Sequence, residues 1–131
     1  MNLASLRILS ADVPRLVDFY ERLTGNTARW VSPAFAAVPA GQTEVAVAGL
    51  ESLALGNTPG VAEPGSNRSV YVEFLVDDVD AEFERLRDGL VADFVLEPTT
   101  MPWGNRSMLF RDPDGNLINF FRRPEGVRLT S

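Results

Sequence analysis

Proton transfer in this chain has to run through a carboxyl or a phenol. The sequence holds no histidine and no cysteine, and all 12 of its basic residues are arginine. That removes imidazole catalysis, thiolate nucleophiles, disulfides, zinc knuckles, and Schiff-base or phosphate-loop lysines. Any metal site would have to be built mostly from oxygen. Glu73 and Tyr71 are the candidate catalytic groups. They alternate along the apolar stretch 70–76, so both point to one side of a strand, where either serves as acid or base. Arg7 and Asn119 are polar residues set in similar apolar runs, and they suit the holding of an anionic, carbonyl or amide group.

Composition bounds what these groups can serve. A length of 131 residues with 45% hydrophobic content is that of about one packed domain. The net charge of -6 and a pI near 4.6 oppose nucleic acid or an anionic membrane as partner and favour an uncharged or cationic small ligand. The first residues lack the charged and long apolar regions of a signal peptide, and no stretch approaches the roughly 18 apolar residues of a membrane span. A soluble, cytoplasmic protein is the expectation.

The elements that must position the candidates follow from pattern. Asp12 can cap a helix over 13–24, where Val13, Leu16, Phe19, Tyr20 and Leu23 form one stripe, Pro14 sits in the first turn and Gly25 ends it. Short strands are expected at 3–10, 28–31, 35–38, 44–48 and 52–55, with 32–49 either two strands or one bent ribbon, followed by a linker at 57–69 with two Pro-Gly pairs. The pattern then restarts with a strand at 70–76, a helix marked by Val79, Phe83, Leu86 and Leu90 with Gly89 near its end, and strands at 94–96, 107–110 and 117–121. Asp112-Pro-Asp-Gly115 reads as a tight turn, since it lacks the remaining ligands of a calcium loop. Laying Asp12 on Asp78, an offset of 66 residues, also aligns Leu6 with Val72 and Ile8 with Phe74. The chain therefore reads as βαβββ twice: a module at 1–56, a linker at 57–69 and a module at 70–131, together one α+β domain. The period is too long for a solenoid, which leaves two half-domains related by pseudo-twofold symmetry.

Several segments together resemble the vicinal oxygen chelate superfamily, which includes glyoxalase I, extradiol dioxygenases and bleomycin-resistance proteins. They are the strand into Asp12-Val13 with Phe19-Tyr20 and Leu23-Thr24-Gly25, the strand into Asp77-Asp78-Val79, the loop Met101-Pro-Trp-Gly-Asn-Arg106, and Phe110-Arg-Asp-Pro-Asp-Gly-Asn-Leu-Ile-Asn-Phe120. The resemblance covers essentially the whole chain. It implies a curved mixed sheet enclosing a cavity, and a homodimer. In metal-dependent members, one ligand comes from the first and one from the last strand of each module. The matching positions here are Ser5, Ala54, Tyr71 and Asn119. Alanine cannot ligate, and serine, tyrosine and amide oxygens are weak ligands for transition metals. No metal and no cofactor is implied.

These positions mark a cavity side, and strand parity extends it. Tyr71, Glu73 and Leu75 face inward, with Val70, Val72, Phe74 and Val76 against the helix. Leu3, Ser5, Arg7 and Leu9 face inward, with Leu6 and Ile8 on the helix side. Ser52, Ala54 and Gly56, and Leu117, Asn119 and Phe121, complete the lining. Arg7 and Glu73 coincide under the offset, so an ion pair is expected, read either as charge satisfaction or as function. Tyr71 and Asn119 either bind a ligand or satisfy each other. Trp103, and Trp30 likewise, is a candidate cap for the cavity mouth or else core or interface, and Arg106 is either an anion contact or a solvated arginine. The candidate ligand-binding set is Ser5, Arg7, Ala54, Tyr71, Glu73, Trp103, Arg106, Asn119 and Phe121. The expected function is metal-independent binding of a small, hydrophobic or drug-like molecule. The alternatives are a lyase, isomerase or dioxygenase using Glu73 and Tyr71 or an atypical oxygen-rich metal site, and an interaction module whose cavity is filled core.

Overall fold

The computed structural model describes residues 1–53 and 60–124. In order these form β1 (Leu6–Leu9), α1 (Val13–Thr24), β2 (Arg29–Ser32), β3 (Phe35–Ala40), β4 (Thr43–Ala48), a 3₁₀ turn (Leu50–Leu53), β5 (Val72–Leu75), α2 (Val79–Arg87), β6 (Phe94–Thr100), β7 (Arg106–Arg111) and β8 (Leu117–Arg122). The strands make two open four-stranded sheets, ordered β1-β4-β3-β2 and β5-β8-β7-β6. In each, the first strand lies parallel to the last and the remaining pairs are antiparallel. The fold is α+β, with βαβββ used twice. Contacts group the chain into two compact units divided between Asn67 and Arg68, the turn residues Pro113–Gly115 counting with the first.

Both helices start where an aspartate caps them. The Asp12 carboxylate accepts from the Arg15 N–H at 3.2 Å, and Asp78 accepts from the Ala81 N–H at 3.0 Å, each satisfying an otherwise unpaired backbone donor. Gly25 ends α1 in the left-handed region (φ 75°), its N–H donating to the Glu21 carbonyl. Helix α2 stops earlier than its apolar pattern suggests. Leu90 and Val91 both turn back to the Leu86 carbonyl, Gly89 supplies the positive φ of 104° for that reversal, and Val91 takes the buried place.

The cores differ. In the first unit, α1 presents Val13, Leu16, Val17, Phe19, Tyr20 and Leu23 to strands rich in small aliphatics, with Ala36, Val38, Val45 and Val47 buried. In the second, aromatic rings run across the whole sheet. Phe83 of α2 meets Phe94, Phe94 meets Phe110, Phe110 meets Phe120 and Phe120 meets Phe74, with centroids 4.8 to 5.9 Å apart and edge-on geometry. This row marks the face of β5–β8 that lies toward α2.

Among the described residues, 52–53 do not form the expected strand. The segment expected to be a strand at 52–55 begins as the 3₁₀ turn, because the Ser52 N–H and hydroxyl both turn back to the Gly49 carbonyl, at 3.2 and 2.8 Å. The strand that closes the first unit against β1 is β4. The Asp112 turn is as expected: the Asp112 carboxylate accepts from the Asn116 N–H and side-chain amide at 3.0 and 2.8 Å, which occupies it structurally. No helix among the described residues is long and apolar enough to cross a membrane.

Candidate functional site

Parallel pairing of β5 with β8 sets Val72 beside Ile118, Glu73 beside Asn119, Phe74 beside Phe120 and Leu75 beside Phe121. Phe74 and Phe120 belong to the ring row beneath α2, so Glu73, Leu75, Asn119 and Phe121 project from the opposite face. On that face the Asn119 amide Nδ2 donates to Glu73 Oε2 at 2.9 Å. Asn119 is only 8% exposed, and its Oδ1 is buried without a hydrogen-bond partner. Glu73 is exposed. Phe121 is half-buried beside Leu75 in register, and the Arg123 guanidinium carbon lies 5.5 Å from its ring. Tyr71 stands just ahead of β5 and is 48% exposed. Asn119 thus takes Glu73 as its partner rather than Tyr71.

The first unit carries the matching face. Parallel pairing of β1 with β4 sets Leu6 beside Val45 and Arg7 beside Ala46, so the counterpart of the Glu73–Asn119 pair is Arg7 with Ala46. Ala37 and Ala46 pair in register on this face, as do Phe35 and Ala48, and all three alanines are buried. Over these short side chains the Arg7 guanidinium reaches the Phe35 ring, its central carbon 4.0 Å from the centroid. Ser5 precedes β1 and is half-buried. The register corrects two expectations. The position matching Asn119 is Ala46, whereas Ala54 follows the last element of this unit and lies outside the described residues. Leu6 was expected to pack toward the helix but is 62% exposed at the start of an edge strand.

The expected Arg7–Glu73 ion pair rested on both charges being buried. Both are exposed, so neither charge demands a protein partner, and each makes a contact inside its own unit, Arg7 with Phe35 and Glu73 with Asn119.

Two other candidates are drawn elsewhere. Arg106 grips Asp80 of the first turn of α2 with two bonds of 2.7 Å and donates to Thr100 Oγ1 at 3.1 Å. The bonds from Arg106 hold the Asp80 carboxyl below its ordinary pKa, and the carboxylate in turn raises that of Arg106. The guanidinium therefore pins β7 to α2 and is spent as an anion contact. Trp103 stands 69% exposed at the tip between β6 and β7, a turn closed by Met101 N–H to the Asn105 carbonyl at 2.7 Å. Gly104 in that turn is bound to stay glycine: its φ is 99°, and a Cβ there would sit 2.7 Å from Pro124 Cγ. Trp30, on edge strand β2, is 45% exposed. A separate depression of about 460 Å³ opens by the start of α1, between Ser10, Asp12, Pro33, Glu51 and Pro64. None of the sequence-predicted residues lines it, and Asp12 there is occupied as the helix cap.

Sequence reasoning missed Phe35 and Ala46. Counting strands finds Ala46: β1, β2, β3 and β4 already complete the βαβββ unit by Ala48, so its last strand is the match for β8. As a donor set, Ser5, Ala46, Tyr71 and Asn119 do not fit a transition metal, since one has no donor atom and the others are neutral oxygens. Among the described residues no group of three or more Asp, Glu, His or Cys could hold a metal ion.

The sequence pattern of the Glyoxalase/Bleomycin resistance protein/Dioxygenase superfamily matches residues 2–120. The uncharacterized protein YraH of Bacillus subtilis is 27% identical over 126 residues, 93% of this chain and 98% of its own length. The crystal structure of a glyoxalase/bleomycin resistance protein/dioxygenase from Nocardioides is similar with a TM-score of 0.79 and 25% identity, covering 100% of this chain and 89% of that one. The fold of a lactoylglutathione lyase from Agrobacterium tumefaciens is similar with a TM-score of 0.72 at 18% identity, covering 92% of each chain.

Proposed function

This chain belongs to the Glyoxalase/Bleomycin resistance protein/Dioxygenase superfamily, and from that premise we propose that it is a metal-independent small-molecule-binding protein. The observation that carries the reading is the pair of matched strand positions. Where metal-dependent members of the fold place ligands, this chain has Ala46 beside a guanidinium in one unit and a neutral amide in the other. A fixed positive charge at Arg7 opposes a divalent cation on its face. What the faces do offer is sparse polar groups among apolar ones: Arg7 over Phe35, and Glu73 with Asn119 beside Leu75 and Phe121. That is the composition of a binding surface for a small organic molecule, oriented by a few hydrogen bonds and held by apolar contact.

Metal analysis of the purified protein, with thermal-shift measurements against divalent metals and a screen of hydrophobic natural products, tests this. A melting temperature raised by compounds and untouched by metals is the expected result, because a ligand selective for the folded state stabilises it by mass action. Stoichiometric nickel, zinc, iron or manganese would overturn it. The same reading has the protein working as a cytoplasmic homodimer. Exposed Leu3, Leu6, Val70 and Leu75, on or next to edge strands β1 and β5, supply apolar surface for association, and light scattering at micromolar concentration checks the assembly.

A second reading is favoured by one feature. Glu73 is a solvent-accessible carboxylate with one oxygen held in place by Asn119, the arrangement of a general base in an isomerase or lyase. Solvent-deuterium exchange into α-hydroxy ketone substrates, abolished in Glu73→Gln, is its signature.

A further inference from the structure

We propose that the Glu73–Asn119 face of the second unit takes its ligand through a protonated nitrogen, an ammonium or guanidinium carried on an apolar body. The inference rests on the binding reading above and adds the chemistry of the ligand.

A carboxylate has no hydrogen to give, so the Asn119 amide can approach Glu73 only with its nitrogen foremost, and the 2.9 Å bond locks the amide that way round. The other end is therefore committed. Asn119 Oδ1 points away from Glu73 as an acceptor, buried and without a partner, in a residue that is 8% exposed. Buried acceptors are nearly always satisfied, and one left open on a face that also carries an exposed carboxylate calls for a donor from outside. Asn119 Oδ1 and the Glu73 carboxylate are both acceptors, one of them charged, and neither can donate. A ligand group presenting several N–H bonds and a positive charge matches both at once. The apolar body follows from the neighbours: Leu75, 57% exposed, and Phe121 lie in register on the same face, and Tyr71, 48% exposed, offers an aromatic ring two residues from Glu73. Arg111, beside Leu117 in register, and Arg123, just past β8 and over the Phe121 ring, fall on this face by parity as well, both set off from the Glu73–Asn119 row. The net charge of -6 favours a cationic ligand at long range.

The test titrates ¹⁵N-labelled protein with benzylammonium, benzoate and benzyl alcohol, following the Asn119 side-chain amide and the Glu73 backbone resonance. Benzylammonium should shift both signals saturably while the other two do not, with Glu73→Gln and Asn119→Leu each weakening it by roughly tenfold or more. Asp18→Asn, an exposed carboxylate on α1, should leave it unchanged, which separates local recognition from bulk charge. Intermolecular NOEs from the benzyl ring to Phe121 and Leu75 place the probe in the wild-type protein, whatever the variants do to folding. Equal affinity in wild type and Glu73→Gln, or NOEs elsewhere only, would overturn the proposal. Benzoate or benzyl alcohol shifting these signals in place of benzylammonium overturns it too, and leaves the binding reading standing. So does calcium shifting the same signals and excluding benzylammonium, which would make the oxygens a hard-cation site. If neither these probes nor the screened natural products touch the face, the binding reading fails along with this one.

Discussion

At the same register position of the same topology, one unit sets Arg7 beside Ala46 and the other sets Glu73 beside Asn119. The backbone is repeated and the chemistry is reversed. Because Ala46 has no reach, Arg7 lies down across it onto Phe35; because Asn119 has an amide, Glu73 is held by a directed hydrogen bond. The size of the neighbour on the adjacent strand thus decides whether a charged side chain stacks or stands. The cores diverge as well, aliphatic under α1 and aromatic under α2. A duplicated backbone does not require duplicated packing, provided each core fills its own volume.

The largest effects should come from the cores. Phe110, fully buried and in ring contact with both Phe94 and Phe120, should lose about 3–5 kcal/mol on Phe110→Ala. Its counterpart by register is Val38, and Val38→Ala should lose about 2 kcal/mol. Urea denaturation measures both, and a smaller loss at Phe110 than at Val38 would break the contrast between the cores. Next comes an attempt to write one site into the other. Ala46 is 1% exposed, so Ala46→Asn should overfill its place at about 1–3 kcal/mol, and adding Arg7→Glu should recover part of that by supplying a carboxylate for the new amide. Double-mutant additivity would show that the two positions do not communicate.

Smaller effects separate the helices. Gly25 caps α1 at φ 75° and Gly89 follows α2 at φ 104°, both facing open space. Replacing either by alanine should cost about 1 kcal/mol through backbone strain alone, read as a lowered melting temperature without loss of binding. The smallest contrast is electrostatic. Under the 66-residue offset Asp80 corresponds to Pro14, so the Arg106–Asp80 bridge exists in one unit only. Asp80 has its pKa lowered in the folded state, chiefly by the hydrogen bonds from Arg106, from an ordinary value of 3.8. Its stabilisation is therefore present above pH 3.8 and lost as pH falls through the lower folded value. With 58% of its side chain exposed, the pair should contribute less than about 1 kcal/mol at neutral pH. Arg106→Gln should narrow the stability difference between pH 7 and pH 3 measured by thermal unfolding, and an unchanged difference would remove the bridge from the account.

Much of this was legible in the chain. Asp12, Gly25 and Asp78 announced the helix ends because capping is local chemistry, satisfied within three or four residues. Alternation placed Glu73 and Asn119 on the face opposite Phe74 and Phe120, because that pattern belongs to each strand separately. Residues 52–53, expected to open a strand, were misread because their hydrophobicity does not separate a strand from a 3₁₀ turn. What settled it was two hydrogen bonds to the Gly49 carbonyl, which hydrophobicity does not report. Arg106 was misread because its partner lies 26 residues away on a helix.

By itself, then, the sequence determined the repeated βαβββ order, the capped helices, the face each strand residue takes, and a chemistry limited to carboxyl, phenol, amide and guanidinium groups. Only the tertiary structure decided who stands beside whom: Asn119 with Glu73, Ala46 with Arg7, Asp80 with Arg106. The reason is physical. Caps and alternation are set by neighbours along the chain, whereas the pairing of parallel strands depends on how far one slides past the other, and a slide of one residue would exchange every one of these partners for another.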